Sequence, residues 1–145
     1  MKKMIGAVLG FALTTLAIPG AYASRADAIA IGRQVISEVQ RSSAFCARDT
    51  FHTDHIELGQ TISYSTFLYG GGHYILATGG DDNARDLDVA LYDENGRFID
   101  NDLRYTQGGL VEVTPRWDGT FYFKVKLANG SRRGAWIYII HFYQC

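Results

Sequence analysis

Four aspartates crowd one short stretch of the chain and are the strongest candidates for site chemistry. Asp81 and Asp82 precede Asp86 and Asp88, and the last two share a face if they lie on a strand, because they are two residues apart. Three or more carboxylate oxygens, together with main-chain carbonyl groups, form the kind of site that binds calcium. The cluster therefore predicts calcium as a cofactor. A structural turn is the alternative, because aspartates also accept hydrogen bonds from their own main chain.

The other ionisable residues are expected to have structural roles and not catalytic or metal-binding ones. Asp93, Asp100 and Asp102 surround the next turn, and we expect them to stabilise it. His52 and His55 have a spacing that suits zinc on a helix, but in strand-like sequence this spacing puts them on opposite faces. The sequence contains no Gly-x-Ser-x-Gly segment or other positioned nucleophile. We therefore predict no catalytic residue and no enzyme activity.

Aromatic side chains supply a candidate ligand surface. Tyr105 and Trp117 fall in predicted loops, and Tyr64, Tyr122 and Tyr138 fall at outward or near-outward positions of predicted strands. Such rings stack on sugars or lie against extended peptides. We therefore predict that Tyr105, Trp117 and Tyr122 bind the ligand, with ordinary cross-strand packing as the alternative.

The first residues have the pattern of a secretory signal peptide. Lys2 and Lys3 precede a mostly apolar run from Met4 to Ile18, and Ala21-Tyr22-Ala23 forms a small-x-small cleavage site. The apolar run is shorter than the ~20 residues that a membrane-spanning helix needs. We therefore expect residues 1–23 to be removed and the remaining protein to be periplasmic or secreted, without a membrane span.

The net charge argues against partners that bind by charge alone. Removing residues 1–23 takes two of the 14 Lys and Arg residues and none of the 15 acidic residues, which leaves a formal charge of −3. A charge this small and negative attracts neither nucleic acid nor anionic lipid. We expect no nucleic acid as a partner.

The two cysteines predict one disulfide. Cys46 and Cys145 are the only cysteines in the sequence, and an even number in an exported chain normally pairs. Neither lies in a Cys-x-x-Cys pattern, so a redox or nucleophilic role is not predicted. We expect a structural bond.

Residues 24–50 are predicted to form an N-terminal helix and a linker. Ser24-Arg-Ala-Asp27 matches a capping box, and the helical pattern extends over residues 24–47. Its apolar stripe consists of Ala28, Ile31, Val35 and Val39. Such a stripe normally packs on the domain's own sheet. A docking helix for a partner protein is the alternative.

After Asp49 the pattern changes to a two-residue alternation that predicts a β-sandwich over residues 51–145. The predicted strands are residues 51–58, 60–68, 73–79, 86–93, 96–100, 109–114, 119–127 and 135–144. The alternation places Val89 and Phe123 in the core. The last strand is apolar on both faces, so we expect one face against the other sheet and the other against the helix.

Four segments of this region occur in a recognisable order. They are Gly72-His-Tyr-Ile-Leu-Ala, Asp86-Leu-Asp-Val-Ala-Leu-Tyr-Asp, Glu94-Asn-Gly96 and Gly119-Thr-Phe-Tyr-Phe-Lys-Val. Residues 51–144 thereby resemble the bacterial pre-peptidase C-terminal (PPC) domain family. The resemblance implies a mainly β, jelly-roll-like antiparallel β-sandwich, here with about eight strands and one N-terminal α-helix. It also implies a binding or accessory role outside the cytoplasm, and some members of the family bind calcium near this sheet edge.

Together these features predict an exported, non-catalytic binding or accessory module, stabilised by calcium, whose partner is an extracytoplasmic protein or polysaccharide. A small secreted hydrolase and a protease-associated inhibitor or chaperone are the alternatives. A polysaccharide-binding module would expose at least two rings in one plane. A protein-binding module would expose a broad apolar patch or an open strand edge.

Overall fold

The described part of the chain begins with a helix, α1, which spans Arg25–Ser42. The computed structural model describes residues 23–145, so the predicted signal peptide lies outside the described residues except for Ala23. Ser24 caps α1 as predicted, because its Oγ accepts a hydrogen bond from the main-chain N–H of Asp27 at 3.1 Å. Within residues 23–145, no helix has the length and apolar character needed to cross a membrane.

Helix α1 ends at Ser42 and not at Ala47, where the sequence pattern predicted its end. Ser43 Oγ donates a hydrogen bond to the carbonyl oxygen of Val39 at 2.6 Å, and the main chain of Ser43 is already extended. A serine hydroxyl that bonds the last carbonyl groups of a helix competes with a further turn. The chain therefore leaves the helix early and enters the first strand at Phe45.

Eight strands follow α1 in the described residues. They are β1 Phe45–Ile56, β2 Thr61–Leu68, β3 Tyr74–Gly80, β4 Ala84–Tyr92, β5 Phe98–Asp102, β6 Gly108–Val113, β7 Gly119–Gly130 and β8 Ala135–Gln144. Sheet A has the order β1-β8-β3-β6, and sheet B has the order β2-β7-β4-β5. Every neighbouring pair is antiparallel. This is the order of a jelly roll, so the predicted fold class is confirmed.

Strand β1 begins six residues before the predicted start at residue 51. Its ladder with β8 is interrupted between Ala47 and Phe51. An interruption of this kind breaks the two-residue alternation on which a strand prediction depends. Cys46 therefore lies on β1, opposite Tyr143 of β8, and not in a linker after the helix.

The space between the two sheets is filled by the side chains that the alternation placed there. The buried residues of β4 and β7 include Leu87, Val89, Leu91, Phe121, Phe123, Val125 and Leu127. On β7 the residues between them are mostly exposed, as on a strand with one covered face. The predicted burial of Val89 and Phe123 is therefore confirmed.

Strand β8 is covered on both faces, as its apolar pattern predicted. Ile137 and Ile139 belong to the core between the sheets. Tyr138, Ile140 and Phe142 point the other way and pack against the helix. The α1 residues that meet them are Ile31, Val35 and Val39. The apolar stripe of α1 therefore packs on the protein's own sheet A.

Cys46 and Cys145 form the predicted disulfide, with Cα atoms 5.8 Å apart. The bond joins β1 to the end of β8 and links residues 99 positions apart. In the chain-entropy account, a loop of ~100 residues contributes up to about 4.7 kcal/mol of stabilisation. The bond therefore reinforces the same strand pair on which α1 packs.

Tyr138 lies at the contact between α1 and sheet A. Its ring is fully buried, stacks on Phe51 with centroids 6.3 Å apart, and lies over Gly79, its partner on β3. A Cβ atom at Gly79 or Gly32 would overlap this ring. Its hydroxyl has no hydrogen-bonding partner among the described residues, and burial raises its pKa. The glycines allow the close approach, and the hydroxyl costs stability.

We predict opposite effects for two substitutions at this contact. Tyr138→Phe should raise the free energy of unfolding by about 1–3 kcal/mol, because it removes a buried, unpaired hydroxyl. Gly79→Ala should lower it by about 1–3 kcal/mol, because the new methyl group overpacks the ring. Urea unfolding followed by circular dichroism measures both. A less stable Tyr138→Phe variant would contradict the unpaired state of the hydroxyl.

Candidate functional site

The outer face of sheet B carries aromatic side chains on three neighbouring strands. Tyr92 on β4 lies opposite Phe98 on β5 and opposite Tyr122 on β7 in the two ladders. Residues directly opposite each other in an antiparallel pair point to the same face, about 5 Å apart. The three side chains therefore form one row across the sheet, which we call the aromatic row.

The aromatic row is open to solvent. Phe98 is 52% exposed and Tyr122 is 38% exposed. Tyr92, between them, is half-buried because Phe98 packs edge-on against it with centroids 6.0 Å apart. Lys124 Nζ lies 4.9 Å from the centroid of the Tyr92 ring. These contacts hold the central ring in a fixed orientation.

Two further rings extend the aromatic surface beyond the row. Ser65 of β2 lies opposite Tyr122, and Phe67, two residues further, points to the same face. The rings of Phe67 and Tyr69 meet edge-on with centroids 5.3 Å apart, and both residues are exposed. The aromatic surface therefore reaches from β5 to the edge strand β2.

Charged side chains lie beside the aromatic row on the same face. Lys124 and Lys126 follow Tyr122 at outward positions of β7, and Asp88 of β4 lies opposite Lys126. Such groups donate and accept hydrogen bonds to hydroxyl groups next to a stacked ring. The face can therefore hold a ligand that has both flat apolar surfaces and many hydroxyl groups.

Of the three residues predicted to bind ligand, the structure separates Tyr105 from Tyr122. Tyr122 belongs to the aromatic row, but Tyr105 Oη accepts a hydrogen bond from Asn129 Nδ2 at 2.7 Å. Asn129 is seven residues further along β7, which at about 3.3 Å per residue places Tyr105 roughly 20 Å from Tyr122. Trp117 lies in the loop before β7 and donates its Nε1–H to Glu94 Oε1 at 3.2 Å.

Tyr64 and Tyr138 were expected at outward or near-outward positions. The expectation is wrong for Tyr64, whereas Tyr138 faces away from sheet B but is covered by the helix. Tyr138 is buried under α1. Tyr64 lies opposite the core residue Phe123 and points between the sheets, where its hydroxyl donates to Asp54 Oδ2 at 3.2 Å. Burial and the Asp54 carboxylate raise the pKa of Tyr64. In a strand that is apolar on both faces, or in an edge strand of mixed polarity, the sequence alone does not show which side chains point outward.

Sequence reasoning also missed Tyr92, Phe98 and Phe67 as site residues. Tyr92 and Phe98 flank the turn at Asn95-Gly96, so the register of this hairpin could have paired them. Phe67 carries no such local signal, because its place beside Tyr122 depends on the pairing of β2 with the distant strand β7.

Asp81 has a structural role. It is fully buried, its Oδ1 accepts the N–H of Asn83 at 3.0 Å, and its Oδ2 accepts the N–H of Trp136 at 3.2 Å. These bonds tie the connection between β3 and β4, which crosses from sheet A to sheet B, to strand β8. The turn alternative therefore describes Asp81.

Asp86 and Asp88 share the outer face of β4, as their spacing predicted, with Asp88 opposite Lys126. Burial and the neighbouring Asp86 raise the pKa of Asp88. Within residues 23–145, no three His, Cys, Asp or Glu side chains lie close enough together to hold a metal ion. The structure thus does not gather Asp81, Asp82, Asp86 and Asp88 into one site. Calcium binding stays a prediction, now confined to Asp86 and Asp88.

Asp93, Asp100 and Asp102 have two different structural roles. Asp93 Oδ1 accepts two main-chain N–H groups of its turn at 2.9 Å, as predicted. Asp100 and Asp102 of β5 reach instead to the edge of sheet A, where they accept the N–H groups of Glu112 at 3.0 Å and Leu110 at 3.3 Å. These carboxylates therefore join the two sheets along one side of the sandwich.

No protein-family model and no curated protein sequence matches this chain. Its fold is similar to the pre-peptidase C-terminal domain of collagenase from Bacillus anthracis, with a TM-score of 0.51 and 9% identity over 63% of this chain and 87% of that one. PliG of Aeromonas hydrophila, a periplasmic inhibitor of g-type lysozyme, has a TM-score of 0.47 and 13% identity over 71% and 88% of the two chains. The first similarity supports a PPC-like fold.

Two buried groups predict opposite dependences of stability on pH. Burial, opposed by the N–H groups of Trp136 and Asn83, raises the pKa of Asp81 to about 6 from its unfolded value of 3.8. The contribution of Asp81 to stability is therefore complete below its unfolded pKa and is lost as pH rises through its folded pKa. Between pH 4 and 6, an Asp81→Asn variant should lose less stability on raising the pH than the wild type does.

The second group is His141 of β8. Burial, with a smaller effect of Arg48, lowers its pKa to about 4 from 6.5, so its contribution to stability is present above its unfolded pKa and is lost as pH falls through the folded value. A His141→Gln variant should lose less stability than the wild type between pH 6.5 and 4. Thermal unfolding over this range measures both variants. The two substitutions should change the pH dependence of stability in opposite directions, and a change in the same direction would contradict one assignment.

Proposed function

We propose that this protein is an exported, non-catalytic β-sandwich module that binds an extended polysaccharide on the outer face of sheet B. The aromatic row carries the proposal, because Tyr92, Phe98 and Tyr122 lie at one level of three neighbouring strands and on one face. The apolar face of a sugar ring stacks on such rings, and its hydroxyl groups bond the polar residues beside them. Phe98 and Tyr122 are the exposed rings of this row, and they supply the stacking surfaces on which the proposal of a polysaccharide partner depends.

The rigidity of the scaffold supports this proposal. The three rings stand on paired strands rather than on loops, and the central ring is held by Phe98 and Lys124. A surface that is ordered before binding loses little conformational entropy when the ligand arrives. In this proposal the surface only binds the polysaccharide and breaks no bond in it.

Export to the periplasm or beyond is part of the proposal. The disulfide between Cys46 and Cys145 supports it, because structural disulfides persist in oxidising compartments. A location outside the cytoplasm would also place the aromatic row where polysaccharides of the cell envelope are found.

The proposal predicts that single ring deletions weaken polysaccharide binding. Tyr122→Ala and Phe98→Ala should each weaken affinity about tenfold, the equivalent of about 1.4 kcal/mol, because each removes one stacking surface. Co-sedimentation of the purified protein with insoluble peptidoglycan, chitin and cellulose identifies the substrate. Isothermal titration with soluble fragments of that substrate then gives the affinities.

Tyr105→Ala is the matched control, because Tyr105 is exposed but bonded to Asn129 at the far end of the sheet. It should bind like the wild type. An equal loss in Tyr105→Ala and Tyr122→Ala, or no binding of the wild type to any of the three polysaccharides, would contradict the proposal. Capture of an envelope protein that tolerates the loss of both Phe98 and Tyr122 would place the function elsewhere on the surface.

Calcium binding at Asp86 and Asp88 is proposed as a separate property of this module. Burial, and after it the charge of Asp86, raises the pKa of Asp88, and a cation between the two carboxylates would relieve their mutual repulsion. Millimolar calcium should raise the Tm in a concentration-dependent way, since a ligand of the folded state stabilises by mass action. The Asp86→Asn, Asp88→Asn double variant should lose the increment. An unmoved wild-type Tm leaves these residues as strand residues only.

A further inference from the structure

The two long sides of the sandwich differ. On one side, Asp100 and Asp102 of β5 bond the main-chain N–H groups of β6, so side chains close the gap between the sheets. On the other side, the edge strands β1 and β2 are separated by a cleft of about 270 Å³. Its walls include Arg48, Thr66 and His141. We call this space the open-side cleft.

Polar side chains occupy inward positions around the open-side cleft. Tyr64 and Thr66 alternate with exposed residues on β2, and His141 follows the core residues Ile137 and Ile139 on the inward phase of β8. Inward positions of a sandwich are normally apolar, because they form the core between the sheets. A local departure from this pattern that leaves the fold intact points to a functional constraint.

The hydrogen bonds in the open-side cleft are incomplete. His141 is only 6% exposed and its Nδ1 lies 3.2 Å from Thr66 Oγ1. Its Nε2 has no hydrogen-bonding partner among the described residues. Buried polar atoms in native proteins are normally paired, so an unpaired one at a cleft indicates where a polar ligand group can bind. Tyr64 is already engaged, since its hydroxyl donates to Asp54.

Arg48 brings positive charge to the open-side cleft. Its guanidinium lies 5.6 Å from the centroid of the Tyr74 ring, and its Nη1 donates a long hydrogen bond of 3.5 Å to the carbonyl oxygen of Phe67. Arginine presents a planar fork of donors that matches a carboxylate. The carboxylate of Asp54 is engaged elsewhere, because it accepts hydrogen bonds from the Tyr64 hydroxyl and from the main-chain N–H of His55.

The opposite part of the lining is apolar. Leu76, Phe123 and Ile139 contribute to the cleft and belong to the core between the sheets. The cleft thus joins a cationic, hydrogen-bonding end to a hydrophobic floor. Its volume is slightly below the ~300–1,000 Å³ range of drug-sized pockets, which restricts a ligand to a compact molecule.

We propose that the open-side cleft binds a small monocarboxylate with a compact apolar body. The carboxylate would pair with the guanidinium of Arg48 and accept from the Thr66 hydroxyl or from His141, and the apolar body would cover Leu76, Phe123 and Ile139. This site is distinct from the aromatic row, because it lies between the sheets whereas the aromatic row lies on the outer face of sheet B.

The test compares an acid with its neutral amide. The probes are 3-phenylpropanoate and 3-phenylpropanamide, titrated into the full exported chain at pH 7 and followed by NMR chemical shifts and isothermal titration. The acid should bind at least tenfold more tightly than the amide, because only the acid pairs with Arg48. Equal affinities, or no binding of either probe, would overturn the proposal.

Variants locate the binding. Arg48→Gln should weaken the acid at least tenfold and leave the amide unchanged, and Thr66→Val, which keeps the side-chain shape, should weaken the acid severalfold. Lys126→Gln removes an equal charge from the outer face of sheet B and should bind the acid like the wild type. A loss in Lys126→Gln equal to that in Arg48→Gln would show non-specific charge attraction and overturn the site. The Tm of each variant checks that it is folded.

Two further measurements test whether the cleft is distinct from the aromatic row and restricted to small molecules. Tyr122→Ala should bind the acid normally, so a failure of polysaccharide binding and a failure of the cleft are distinguishable. A tetrapeptide that ends in phenylalanine carries the same carboxylate and ring but is too large for a compact cleft, and it should bind more weakly than 3-phenylpropanoate. Tighter binding of the peptide would overturn the assignment to a small molecule.

Discussion

The burial of strand β8 on both faces is the constraint on which the rest of the structure depends. Ile137 and Ile139 need the second sheet, while Tyr138, Ile140 and Phe142 need the helix. Each such side chain gains about 1.5–3 kcal/mol from complete burial, so a β8 strand without α1 would expose one apolar face. The helix, the strand pair β1–β8 and the disulfide are therefore one stabilising unit, and Gly32 allows α1 to approach the Phe51 and Tyr138 rings of sheet A closely, because a Cβ atom there would overlap them.

With sheet A covered by the helix, the outer face of sheet B is the large sheet face that remains open among the described residues. Its strands alternate between core and solvent because only one face is covered. The register of the ladders then decides what that face presents. Tyr92, Phe98 and Tyr122 come from three strands, and they meet at one level only because β4 pairs with both β5 and β7 in this register.

The sides of the sandwich show how a β-protein manages its edges. Strand edges expose unpaired main-chain groups. At the edge strand β6, two of these N–H groups donate hydrogen bonds to the carboxylates of Asp100 and Asp102 of β5. The side between β1 and β2 instead contains a cleft with polar residues at inward positions. The aspartates of this chain thus have different structural roles. Asp81 and Asp93 stabilise turns, and Asp86 and Asp88 lie on the open face of sheet B.

The class of fold, the burial of Val89 and Phe123, the helix cap at Ser24 and the disulfide could all be predicted from the sequence, because each depends on local periodicity, local capping or residue counts. The start of β1 could not, since the interruption after Ala47 removes the alternation, and neither could the inward direction of Tyr64. Which side chains meet in the aromatic row and in the open-side cleft was decided by the tertiary fold. The physical reason is that these contacts depend on the register between strands far apart in the chain, and a shift of one residue would send every side chain to the opposite face.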